Sequence, residues 1–324
     1  MIKQPLKLLV STLTLVTSTV TWVQAQPYPS RPLRIIVPFA PGGASDVIAR
    51  ILSMKLNESL GQTVVVDNRP GAGANIGIGL AAKSPPDGYT LLVASSAFTV
   101  NPTLYAQPPY DALKDFQMIT CVGSAPNMVA VHASHAAKSV KELIELVHAQ
   151  PGKHNFSSPG SGTTPHLSGE MFRLAFKIDL RHIPYNGAGP QIQSLLGAQV
   201  PIGFASAPSF APQVKAGALR GLAVTADKRM ALLPDVPAMG ELGYHGLDAD
   251  TFQGVFMPAG VPKAIVARVH GDIVKSMATQ DFRERLNAIA MTPVGNTPEK
   301  FTAQVKADIA RWGKVIRESG IKVD

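Results

Sequence analysis

Two stretches of the sequence carry residue types and spacings that could do chemistry. IIVPFAPGGASDVIAR at 35–50 places Gly42, Gly43, Ser45 and Asp46 where an apolar run hands over to a helix-like pattern. SSPGSGTTPH at 157–166 repeats the arrangement with Ser158, Gly160, Gly162, Thr163, Thr164 and His166. Such residues serve three chemistries: a phosphate cradle, a nucleophile site, or a seat for a small anion that is bound and not transformed.

The cradle is tested by GAGANIG at 71–77, which resembles a dinucleotide fingerprint. Its third glycine falls one residue late, and Asp67-Asn68-Arg69-Pro70 separates it from the preceding apolar run. The fingerprint needs its glycines at the strand–helix turn itself, so a tight turn explains this stretch better. For a nucleophile, Ser45, Asp46, Ser157, Ser158 and His166 are available, but no Gly-x-Ser-x-Gly elbow is present. Asp46 falls in a first helical turn, where a carboxylate caps amides and favours the helix dipole. No enzymatic activity is expected.

The anion seat accounts for more. A helix start offers several unpaired N–H groups and about half a positive charge. Glycines permit close backbone approach, and hydroxyls add adjustable hydrogen bonds. Hydrogen bonds to a charged group contribute roughly 1.5–3 kcal/mol each, so three or four would hold a carboxylate at micromolar strength, about −8 kcal/mol.

Positioning these loops requires the elements around them. Apolar runs at 34–39, 64–66 and 90–94 read as strands, alternating with helices over 46–60 and 75–83. Val47, Ile48, Ile51, Leu52 and Leu56 recur at helical spacing. A second series begins with a strand at 126–131 and a helix at 139–148, then strands near 154–156, 181–184, 200–204 and 219–224. A helix runs from His166, another spans 189–196, and the C-terminal part reads as helices over 262–278, 279–290 and 298–319. Strand–helix alternation implies an α/β fold with a largely parallel sheet, and ligands in such sheets sit beyond the carboxyl ends of the strands.

Composition narrows the setting. Residues 1–25 carry Lys3 and Lys7, a long apolar and hydroxyl stretch, and Val23-Gln24-Ala25. That pattern predicts a secretory signal cleaved after Ala25 and hence a periplasmic protein. The net charge of +8 falls to +6 without those two lysines. The basic residues are scattered, Lys228-Arg229 being the longest cluster, so no nucleic-acid partner is expected. Cys121 is alone, the eight histidines show no metal-ligand spacing, and His132 and His135 lack ligand companions. Neither a metal nor another cofactor is expected.

Several stretches identify a resemblance: YPSRPLRIIVPFAPGGASDVIAR, VVVDNRPGAGANIG, AAKSPPDGYTLLVASSAFTVNPTLY, HIPYNGAGPQIQSLLGAQV, LRGLAVTADKRMALLPDVPAMGELGY and GVFMPAGVP. They occur in order through the chain, which resembles the substrate-binding proteins of tripartite tricarboxylate transporters, the Bug or TctC-like family. The resemblance implies a bilobal periplasmic-binding-protein fold of the Venus-flytrap, type II-like kind, two α/β domains joined by two crossover strands. Domain 1 would comprise 26–124 and 254–324, and domain 2 would comprise 125–253, with crossings near Gly123-Ser124-Ala125 and Thr251–Phe256. It also implies a monomeric receptor that closes on a small mono- or dicarboxylate and delivers it to membrane transporter subunits. A receptor docking on a membrane sensor, or a secreted hydrolase, are the alternatives.

On that resemblance the ligand-binding residues are Phe39, Pro41, Gly42, Gly43, Ala44, Ser45, Asp46, Ser95, Ser96, Phe98, Ser158, Gly160, Gly162, Thr163, Thr164, His166, Tyr185 and Asn186. Two departures from the family pattern, Gln199-Val200-Pro201-Ile202 and Phe252-Gln253-Gly254, bear on the second lobe and leave the particular acid open.

Overall fold

The computed structural model describes residues 28–322. The signal at 1–25 and its cleavage point lie outside the described residues. Strands β1 (Leu33–Val37), β2 (Val64–Asn68) and β3 (Thr90–Ser95) alternate with helices α1 (Ala44–Leu60) and α2 (Asn75–Ala82), and α3 (Ala97–Leu104) follows β3. The strands are parallel, with Leu33 opposite Val64 and Arg34 opposite Thr90. Buried on both faces, they read as continuous apolar runs. α1 turns Ile48, Ile51, Leu52 and Leu56 onto this sheet. It stops at Gly61, whose left-handed φ of 65° lets its N–H close on the Asn57 carbonyl.

β4 (Phe116–His132) decides the architecture. Its 17 residues reach about 56 Å at ~3.3 Å per residue, farther than one lobe requires. Its first part pairs antiparallel with β9 (Asp250–Pro258), from Phe116 opposite Pro258 to Pro126 opposite Asp250. Its second part pairs with β7 (Ile202–Ser206) and β8 (Leu219–Val224). β5 (His154–Ser158) lies between β7 and β6 (Leu180–Pro184), parallel to both. The order β2-β1-β3-β9-β4-β7-β5-β6 therefore makes one curled sheet of two halves that share β4. Helices α4 (Val140–Ala149), α5 (Thr164–Ala175), α6 (Ala188–Leu196) and α7 (Ala207–Lys215) cover the second half. α8 (Lys263–Met277), α9 (Gln280–Ala288) and α10 (Pro298–Ser319) follow β9, and β10 (Thr292–Pro293) pairs with Ser124 and Gly123 of β4. Gly123 is needed there, because a Cβ would sit 2.7 Å from Met291 Cγ.

The sequence pattern starts the fourth strand near Pro126, whereas it begins at Phe116. The upstream part mixes Thr120, Gly123 and Ser124 with apolar residues, and register shifts opposite Thr120 and Gly123 break its alternation. Periodicity also misses α3 and α7, each of which carries an internal proline, Pro102 and Pro212.

Where β4 and β9 cross between the halves, a buried polar network ties them together. Asn127 accepts from Thr251 Oγ1 at 2.6 Å, donates to Ser168 Oγ at 2.8 Å, and gives its backbone N–H to Thr225 Oγ1 at 3.0 Å. Thr251 and Thr164 hydroxyls lie 2.6 Å apart, so the network also reaches the start of α5. Asn127 is wholly buried, so removing its amide takes one hydrogen bond each from the Thr251 and Ser168 hydroxyls, both buried. Asn127→Ala is expected to lower stability by about 2–4 kcal/mol, read as a lower midpoint in urea. A loss below about 0.5 kcal/mol would show that the network contributes nothing.

Candidate functional site

Between the two halves lies a cavity lined by Phe39, Gly43, Ala44, Ser45, Asp46, Ser95, Pro159, Thr163, Pro165, Ala188, Ser206, Ser209, Thr251 and Gln253. No lysine, arginine or histidine is among the lining residues. Positive potential comes instead from helix starts. α1, α5, α6 and α7, capped by Gly43, Thr163, Gly187 and Ser206, all begin at this cavity. Each start brings partial positive charge from N–H groups with no carbonyl behind them.

At α1 those amides divide between protein and cavity. Val47 N–H returns to the Gly43 carbonyl at 3.0 Å, and Ala44 N–H reaches across to Ser209 Oγ at 3.4 Å. Ser45 and Asp46 N–H remain for a guest. Gly43 is extended, with φ −94°, and makes no side-chain cap, so no hydroxyl of its own competes for them. The Ser45 hydroxyl donates to Gln253 Oε1 at 2.7 Å, leaving the Gln253 amide NH2 as a further donor at the cavity.

Asp46 is buried in the wall, where a carboxylate would repel an anion, yet its oxygens are occupied. Oδ2 accepts from Gly42 N–H at 3.1 Å and from Arg50 Nε at 3.0 Å, and Oδ1 accepts from Asn68 Nδ2 at 3.1 Å. Asn68 also donates to the Phe39 carbonyl at 3.0 Å. Asp46 thus orders the Phe39–Gly43 turn, and Arg50 offsets its charge.

The structure divides the residues expected at the site. Phe39, Gly43, Ala44, Ser45, Asp46, Ser95 and Thr163 line the cavity. Gly42, Gly160 and Gly162, expected to let backbone approach a ligand, instead let the halves approach each other. A Cβ at Gly42 would meet Gly189 Cα at 3.4 Å, and one at Gly160 would meet Gly73 Cα at 3.5 Å. One at Gly162 would strike Asn101 Oδ1. Pro41 offers its carbonyl to the same seam, against Gly189, and the Asn186 carbonyl accepts Ala40 N–H across it at 2.8 Å.

The remaining candidates are committed elsewhere. Phe98 is a core residue, stacked on Phe256 at 4.1 Å between centroids. Ser96 Oγ accepts from Phe252 N–H at 2.8 Å, Thr164 joins the crossing network, and Tyr185 OH donates to Ser194 Oγ at 2.6 Å. Ser158, expected to donate to the ligand, lies 2.6 Å from His182 Nε2 and accepts Gly160 N–H at 3.2 Å, bracing its own loop. His166 accepts Gly162 N–H through Nδ1 at 3.3 Å and stacks on His182 at 4.1 Å. Residue type and place in a loop do not tell that loop's internal bonds from its outward ones.

Conversely, Pro159, Pro165, Ala188, Ser206, Ser209, Thr251 and Gln253 line the cavity, although in the sequence only Thr251 and Gln253 stand out, as part of a crossing and of a departure from the family pattern rather than as ligand-binding residues. Pro159 and Pro165 were within reach, inside the loop already chosen. Ser206 and Ser209 start a helix whose prolines hid it.

The histidine pair has a measurable consequence. Burial pushes His166 down to about 4; burial and the neighbouring His166 push His182 down to about 3. Both stay neutral when folded but take up protons below about 6.5 when unfolded. Their contribution to stability is therefore constant above about 6.5 and falls as pH drops toward 4. Asp308, raised to about 6 by burial, works in the opposite direction, so the clean readout is a difference between variants. Between pH 7 and pH 5, His182→Phe is expected to lose less stability than the wild type, by about 2 kcal/mol at ~1.4 kcal/mol per pH unit. Equal losses would mean that His182 is protonated in the fold.

Residues 48–321 match the model of the tripartite tricarboxylate transporter family receptor. The chain is similar to Protein BugT of Bordetella pertussis, 37% identical over 303 residues and 93% of each chain. Among solved structures it is similar to the periplasmic binding protein BugD, at 34% identity and TM-score 0.88 over 91% of this chain and 99% of that one. It is also similar to an R. palustris protein with adipate, at 31% identity and TM-score 0.88 over 91% and 99% of the two chains. The Rhodopseudomonas palustris protein MatC with bound malate matches at 27% identity and TM-score 0.85, over 89% and 100%.

Proposed function

Because the chain belongs to the tripartite tricarboxylate transporter receptor family, whose members are periplasmic solute-binding proteins, we propose that it closes on a small organic acid and delivers it to a membrane transporter of that type. Residues 1–25 would direct export, with cleavage after Ala25, and the receptor would act as a monomer. Its lobes would be 26–124 with 254–324, and 125–253, hinged where β4 and β9 run side by side. The observation that carries the reading is the set of helix starts facing one cavity whose walls hold no cationic side chain. Amides and hydroxyls satisfy a carboxylate there without a proton-dependent step. The similar proteins with adipate and malate support an organic acid as the guest class.

Closure is a population shift: contacts to both lobes must favour the closed arrangement over the open one. The experiment is a thermal-denaturation screen against organic acids, amines and sugars. A carboxylate at about 100 times its dissociation constant should stabilise the fold by about 2.7 kcal/mol, with amines and sugars inert. Stabilisation by an amine or a sugar alone would end the reading.

A further inference from the structure

β9 runs between the halves and shows alternate residues to its two faces, as a strand must. Thr251 and Gln253 reach the cavity, whereas Asp250 and Phe252 line a separate space behind the strand with Asp308, Arg311 and Trp312. Of the two side chains on the cavity face, Thr251 is already committed: it donates to Asn127 and lies 2.6 Å from the Thr164 hydroxyl. Gln253 is not. It is only 2% exposed, and its Oε1 accepts the Ser45 hydroxyl at 2.7 Å, which sets the way the carboxamide faces. The NH2 at the other end of that plane carries two donors and meets no acceptor among the described residues.

A buried amide donor without an acceptor destabilises the fold unless a guest or water supplies one. Other donors open onto this cavity, from the four helix starts and from the Ser95, Ser206 and Ser209 hydroxyls, and each belongs to one half of the sheet or the other. Gln253 differs from them in place. It stands on a strand that passes between the halves, held by Ser45 of α1 and in register with Ser95 of β3 and Gly123 of β4. A guest that accepts from its NH2 is fixed to the crossing strand itself as well as to the loops.

We propose that Gln253 is a ligand-binding, specificity-determining residue: its NH2 donates to the bound acid, and Ser45 is the positioning residue that turns the carboxamide oxygen away from the guest. This rests on the organic-acid reading above and deepens it. A guest must bring an acceptor oxygen to the crossing strand, and an ammonium or amide N–H presented at that point is refused, because it meets a donor.

The test exchanges the donor for an acceptor of the same shape. Gln253→Glu keeps an oxygen for the Ser45 hydroxyl and puts a second, negative one where the NH2 stood. Purified protein, freed of bound ligand, is titrated calorimetrically with acetate, lactate, malate, succinate, adipate and citrate. Any of these acids that binds the wild type should bind Gln253→Glu roughly 100-fold more weakly at a pH of about 8. A buried carboxyl beside Asp46 takes up a proton more readily than a free one, and once protonated it donates as the NH2 did. The variant should therefore regain about tenfold of that loss, relative to wild type, by a pH of about 6.

The charged groups around position 253 are Asp46 with its partner Arg50, and Asp250, Asp308 and Arg311 behind β9. Burial keeps the Cys121 thiol of β4 neutral, pushed up to about 12. All are present in both proteins, so the ratio of the two affinities isolates residue 253. Gln253→Leu, with neither donor nor charge, should lose about tenfold at both pH values, and it decides the matter if the charged variant does not fold. A loss in Gln253→Glu that does not recover at the lower pH, or affinity of folded Gln253→Leu within about threefold of wild type, would overturn this inference and leave the organic-acid reading standing. No heat from folded wild type with any of the acids would overturn both.

Discussion

Gly189→Ala is expected to weaken ligand binding by roughly 100-fold while leaving the ligand-free protein as stable as before. Gly189 lies in the first turn of α6, where alanine is favoured over glycine by about 1 kcal/mol, so the second lobe should fold at least as well. In the closed arrangement, however, the added Cβ would fall on the Pro41 carbonyl oxygen of the opposite lobe. That oxygen belongs to a turn fixed by Asp46 and Asn68, so it cannot give way cheaply. The variant should remain open, and apparent affinity falls by the fraction of molecules able to close. A closure penalty of about 3 kcal/mol corresponds to a loss of roughly 100-fold. Titration and urea denaturation of the same preparation separate the two effects. Affinity within threefold of wild type would show that the seam does not form when ligand binds.

Asp46→Ala should damage both stability and binding. The carboxylate holds Gly42 N–H, Asn68 Nδ2 and Arg50 together, and its loss takes the acceptor from Gly42 N–H and one of two acceptors from Asn68 Nδ2. Because Arg50 is largely exposed, its share is discounted for solvent screening, leaving a cost of about 2–3 kcal/mol. Removing a negative charge beside an anion works the other way. Arg50 and Asn68 already offset most of that charge, so loss of order in the Phe39–Gly43 turn should dominate, weakening affinity at least tenfold. Tighter binding by Asp46→Ala would mean that repulsion, not loop order, governs the site.

Hydropathy alone placed much of the frame. The buried faces of α1 and the C-terminal helices follow from 3.6-residue spacing, and β1 and β3 from apolar runs flanked by turn residues. The two glycine-rich turns were visible as helix starts for the same reason, since capping and turn chemistry are local. Resemblance supplied the family and the crossing strands, which periodicity could not. The register shifts in β4 hide its upstream part, and prolines hide α3 and α7.

The destination of each polar group was decided only by tertiary structure. Ser45 and Ser158 are alike in sequence, small hydroxyls beside glycines at a helix start. Ser45 lines the cavity, whereas Ser158 turns to His182, a residue 24 positions away. Likewise Gly43 borders the cavity while Gly42 beside it borders the other lobe. Local pattern determines that a turn exists and that amides are exposed at its end. Which of those amides stay unpaired depends on what the other lobe brings within 3 Å, and that is set by how a 17-residue strand carries the chain across.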